Sequence, residues 1–225
     1  MKKLLLALGL VFFASQSFCQ LSLVGGYKTF NPDGWNDEFI ALLNHEPYPM
    51  AGWQVGLDYW FRLRKRRIEF APELSYARFQ MNFETGILEH AAIGFHFNTD
   101  FYVFDLAGDC NCPTFSKDGN FFSKGFFVEL SPGVTVVSNQ VQSTGTIAEN
   151  TEGTDVAFGG AVGAGLDLGF SDLFTITPLV RLHYYPDFDW DYDLNPANMQ
   201  TDLKQLFLGL RFRLHFKEFR NTRFH

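Results

Sequence analysis

Six acids and six bases in this 225-residue chain fall where alternation places them on one face of their strands. The acids are Asp58, Glu69, Glu73, Asp100, Glu129 and Asp167; the bases are Lys28, Arg62, Arg64, Arg181, Arg211 and Arg213. His90, His96, His183 and His215 share those faces. Charges withdrawn from water must pair, or each costs on the order of several kcal/mol. A salt-bridged filling is the simplest chemistry for such a set, and a narrow ion path is the second. His96, Asn98, Asp100 and His183 also read as metal ligands or an acid–base cluster, although the polarity of a lined interior explains them equally well. No Ser/His/Asp order, phosphate-binding glycine loop or His-Glu-x-x-His helix is present.

Two further stretches carry reactive residues. Tyr184 to Asp193 alternates aromatics with Asp187, Asp189, Asp191 and Asp193. The glycine and distal glutamate of an EF-hand are missing, so these four are weak metal candidates at most. An extended chain would put Phe188, Trp190 and Tyr192 on one side and the aspartates on the other. Cys110 and Cys112 stand close together without the partners a zinc site needs. In an oxidising compartment they close a small disulfide or stay as two thiols.

The elements that position these groups are strands, and the last is the clearest. From Gln205 to Phe216 one face carries Leu206, Leu208, Leu210, Phe212, Leu214 and Phe216. The other carries Phe207, Gly209, Arg211, Arg213 and His215. A strand between lipid and a polar interior wants this pattern. Seven earlier segments repeat it: 21–30, 53–64, 67–83, 88–104, 124–140, 156–170 and 173–185. Pro72 removes a ladder donor, and a bulge is expected there. Gly159, Gly163 and Gly165 face inward and leave room for bulky neighbours. Residues 35–44 have helical spacing within a long polar connection, and 141–155 read as a mobile loop. Residues 186–204 form the last loop. With both ends on one side, the connection holding Cys110 and Cys112 joins the tight turns at 64–67 and 171–172, where it is unusually long.

Lys2 and Lys3, the apolar run from Leu4 to Ala14, and small residues at Ser17 and Cys19 read as a secretory signal over 1–19, leaving Gln20 first. A lipid-accepting Cys19 is the rival, disfavoured by Phe18. Loss of Lys2 and Lys3 takes the net charge from −7 to −9, which argues against nucleic acid as a partner. Hydrophobic residues make up 46% of the chain, yet they are scattered in alternation rather than gathered into spanning helices.

Signal, eight alternating strands and a last strand with Gly209, Phe212, Leu214 and Phe216 resemble the small eight-stranded outer-membrane β-barrel family. The aromatic abundance and Gln20 also resemble Bacteroidota-type barrels, loosely PorT-like or OmpX-like in architecture. The resemblance implies an all-β, eight-stranded antiparallel transmembrane barrel over 20–216, with a polar, side-chain-filled interior and a short tail over 217–225. It implies an outer-membrane location, with membrane lipid, the barrel-assembly machinery and envelope proteins as partners and no cofactor. The expected role is non-enzymatic, structural or through surface contacts. The alternatives are a subunit of a secretion or envelope assembly and a lipid-modifying enzyme acting at the rim.

Overall fold

The structure, a computed structural model, describes residues 21–34, 49–63, 66–83, 86–106, 120–143, 151–171, 174–188 and 201–214. Eight antiparallel strands close into a barrel. They are β1 (Leu21–Pro32), β2 (Met50–Tyr59, continued by Phe61–Arg62), β3 (Ile68–Phe83) and β4 (Gly86–Phe101). After a one-turn helix α1 (Phe121–Gly125) come β5 (Phe126–Ser143), β6 (Thr151–Leu166, continued by Leu168–Ser171), β7 (Phe174–Phe188) and β8 (Thr201–Leu214). Each strand pairs with its neighbours in sequence, and β8 pairs with β1 from Ser22↔Arg213 to Pro32↔Leu203, so the ring has no free edge.

Prolines explain why pairing lapses briefly along two strands. Pro72 lies opposite the break between Tyr59 and Phe61, where the pairing lapses and resumes in the same register. Pro178 lies opposite the break at Asp167 in the same way. Each proline lacks an N–H, so one rung is lost while the strand runs on. The bulge expected at Pro72 is therefore absent. One lies instead at Pro186–Asp187, where the β7–β8 register slips by one residue and Asp187 adopts a φ of 53°.

Outward positions are apolar around the middle of the barrel: Leu23, Leu57, Leu74, Val162 and Leu182 are all exposed. Tyr27, Trp53, Tyr76 and Tyr184 stand above this band, with Trp53 and Tyr76 in ring contact at 5.6 Å. Beyond them the outer face turns polar, with Arg78 bonded to Glu89 at 2.7 Å and Lys204 bonded to Asp33. The order apolar band, aromatic ring, charged rim is that of a surface fitted to a bilayer.

The strands outrun the membrane pattern. β5 and β6 reach Ser143 and Thr151, and β8 begins at Thr201, so parts of the expected loops 141–155 and 186–204 are paired strand. Beyond lipid an outer face has no need to be apolar, and pairing alone sustains the ladder. The helical stretch at 35–44, Cys110 and Cys112, and the segments 1–19 and 217–225 lie outside the described residues.

Candidate functional site

Inward side chains fill the barrel in three layers, and the charged one lies toward the end that holds Leu21 and Leu214. Arg181 donates through Nε to Glu129 at 2.5 Å and through NH1 to Glu73 at 2.8 Å. Arg211 reaches Asp100 at 2.8 Å, Glu129 at 2.7 Å and, with Nε, Asp58 at 3.2 Å. Arg213 binds Asp100 at 2.7 Å, Glu69 at 2.9 Å and Asp167 at 3.2 Å. All three arginines and all six carboxylates are buried.

Neutral donors complete the network. Gln54 and Asn98 donate to Glu73 at 3.1 and 2.9 Å, and Thr177 donates to Asp167 at 2.6 Å. Tyr102 donates to Asp167 at 2.5 Å and receives from Arg213 at 3.1 Å. A guanidinium offers five donors in a fixed fork, which is how each arginine bridges two or three carboxylates from different strands. A planar fork also tolerates burial better than an ammonium.

The network ends at a closed mouth. The Arg67 guanidinium lies 3.8 Å from the Tyr102 ring centroid and donates to Asp105 at 2.6 Å and to the Lys124 carbonyl. The Arg67 N–H donates to Leu106 and the Asp167 N–H to Gly125. The two described ends of the connection after β4, 102–106 and 120–125, thus turn under the barrel at this mouth.

A histidine layer lies above. His96 Nε2 is 2.7 Å from the Tyr185 hydroxyl, to which Thr135 donates at 3.0 Å. His183 stands edge-on to His96 at 5.2 Å. His90 Nδ1 meets Asn139 Oδ1 at 2.6 Å, and Phe30 stacks on its ring at 4.3 Å. The third layer is apolar: Phe30, Met50, Phe79, Leu88, Val137, Phe188 and Leu203 pack together at the end away from the chain termini. This layer adds to the polar interior expected from the sequence and spares the far mouth buried charge.

Nine of the ten residues assigned to the charge network come together. Arg62 is half-buried opposite Glu69 in register. Arg64, His215, Asp189, Asp191 and Asp193 lie outside the described residues. Asp187 is exposed and Phe188 turns into the interior, so these two stand on opposite faces; Trp190 and Tyr192 lie outside the described residues. His96 and His183 meet, whereas Asn98 and Asp100 are bound into the charge layer. Among the described residues no group of three His, Cys, Asp or Glu is arranged to hold a metal ion. Sequence reasoning missed Arg67 and Tyr102, whose only signal is that they extend the inward alternation past a strand end.

No protein-family model matches the chain, and no curated protein matches it in sequence. Solved structures do match in shape. Neisserial surface protein A gives a TM-score of 0.51 at 13% identity, over 89% of this chain and 98% of that one. Ail, the attachment invasion locus protein of Yersinia pestis, gives 0.43 at 14% identity, over 87% and 98%. OprG of Pseudomonas aeruginosa gives 0.41 at 10%, over 88% and 97%. At these identities the likeness to the first concerns fold alone: a closed eight-stranded barrel of the outer-membrane kind.

Proposed function

We propose that this protein is an integral outer-membrane β-barrel that acts without catalysis, as a sealed scaffold presenting its connections at the cell surface. The supporting observation is the interior itself, filled from a bonded charge layer through the histidines to an apolar layer. An eight-stranded barrel is only just wide enough for its own side chains. The ends of the chain and the Arg67–Tyr102 cap face the periplasm in this reading, and the rim bearing Arg78, Lys204 and Asp187 faces outward. Outer-membrane lipid surrounds the band, and the final strand presents Gly209, Phe212 and Leu214 to the barrel-assembly machinery. Residues 1–19 direct export.

Fractionation with electrophoresis tests this. The protein is expected in the outer membrane, folded in cold SDS and shifted in mobility after boiling, because a ring of hydrogen bonds has no edge at which to fray. Recovery in the soluble periplasm, or one mobility before and after boiling, contradicts it. A role as a subunit of a PorT-like envelope assembly would instead show as a stable complex on mild detergent extraction.

A further inference from the structure

The cap carries more apolar surface on its outside than closing a mouth requires. Phe104 is 61% exposed and Phe122 48%, with Val103 and Leu106 exposed beside them. Their rings form a set with Phe126: Phe122 stacks on Phe126 at 5.2 Å and 19°, and Phe104 stands 5.7 Å from Phe126 and 6.1 Å from Phe122.

This set is held in place. Asn120 caps α1 by accepting from the Phe122 N–H at 3.0 Å, and the Ser123 hydroxyl donates back to the Asn120 carbonyl at 2.7 Å. The Lys124 carbonyl accepts from Arg67 and the Gly125 carbonyl from the Asp167 N–H, so the C-terminal end of α1 is tied to the barrel by two bonds.

Phe126 belongs to two surfaces. It opens β5 on the outward face that continues through Val128 and Leu130, both exposed, and it is also the centre of the ring set. The triad is therefore the apolar band carried past the strand end. Neighbouring outward positions at the same end are also phenylalanines: Phe61 on Phe70 at 5.3 Å and Phe70 on Phe97 at 5.6 Å. Exposed Arg66 stands near the same end of the barrel, and Lys124 sits in α1 itself. Apolar rings flanked by cations suit the headgroup boundary of a phospholipid leaflet.

We propose that Phe104, Phe122 and Phe126 form a membrane anchor that seats the cap on the periplasmic leaflet, with phospholipid as its occupant. The proposal rests on the transmembrane reading above. It is tested with full-length protein in phosphatidylethanolamine–phosphatidylglycerol vesicles containing phosphatidylcholine brominated high on its acyl chains. One variant carries Phe122→Trp with Trp35, Trp53 and Trp190 replaced by Phe; Trp60, buried in the interior, is the internal reference. A second retains Trp53 and Trp60 with Phe122 native, and a third carries Phe104→Trp in place of Phe122→Trp in case that change prevents folding.

The added tryptophan is expected to lose emission to the brominated lipid and to be shielded from acrylamide. Quenching by acrylamide but not by lipid, with Trp53 still quenched by lipid, would overturn the anchor and leave the barrel standing. So would shielding that appears only on addition of envelope extract, which would assign the surface to a protein. Absence of lipid quenching at Trp53 as well would overturn the transmembrane reading itself.

Discussion

Arg211 joins three carboxylates from three other strands, and Asp58 is held by that arginine at 3.2 Å without a hydrogen bond of good geometry. The difference sets their expected costs. Arg211→Ala takes from Asp58 the one cation described against it, and from Asp100 and Glu129 one of the two that hold each, and should lower stability by about 3–5 kcal/mol, the range for breaking a buried pair. Asp58→Asn leaves the other bonds of Arg211 intact and should cost no more than about 1 kcal/mol. Urea unfolding of the two variants in lipid vesicles checks both. Equal losses would mean that the arginine is not the hub. Glu73 offers a second reading of the same principle, since it accepts from Arg181, Gln54 and Asn98. Combining Glu73→Gln with Arg181→Gln should cost less than the two separate losses together, because each change already breaks the same Arg181–Glu73 bond.

At the scale of elements, glycines decide where a side chain can cross the interior. A Cβ on Gly52 would meet the Phe79 ring at 2.5 Å and the Arg78 carbonyl as well, whereas one on Gly25 has no neighbour nearer than 3.7 Å. Gly52→Ala should therefore destabilise the barrel by about 1–3 kcal/mol, the cost of overpacking, and Gly25→Ala should leave the heat-induced mobility shift unchanged. The backbone of Asp187 makes a matching case at φ 53°. Asp187→Gly should be tolerated, and Asp187→Val should lower the unfolding midpoint by an amount equivalent to about 1–3 kcal/mol, since a β-branched residue is strained there.

These two features also mark what was readable in advance. Alternation placed Trp53, Leu57, Leu74, Ile93 and Leu208 outside and Asp58, Glu73, Glu129 and Arg211 inside, as the structure has them. The same pattern held Gly159 and Gly165 inward, where Tyr185 and Phe127 now occupy the space a Cβ would take. A period of two cannot report a register slip, however, and Pro72 is the wrong proline for the bulge. It arises beside a different proline, at Pro186–Asp187, where Asp187 takes a left-handed backbone that aspartate adopts more readily than most residues.

For the whole molecule, the interior is divided by polarity along its axis. Charge lies toward the periplasmic mouth in the proposed orientation, under a cap of Arg67 and Tyr102. Phe30, Phe79, Phe188 and Leu203 close the other mouth. That division escaped the sequence reading because charged inward positions drew the inference toward a polar interior. The apolar ones, Phe79 and Leu88 among them, follow the same alternation and needed only to be counted with the charges. The two closures make ion passage unfavourable twice over. Any ion that displaced the salt bridges would still meet a mainly apolar layer, with few groups to replace its water.

Conductance measures the sealed interior most directly. Purified protein reconstituted into planar bilayers should be electrically silent, or nearly so, while its insertion is verified by the boiling-dependent mobility of the same preparation. Steady, large, ion-selective channels would contradict the account and identify the barrel as a pore.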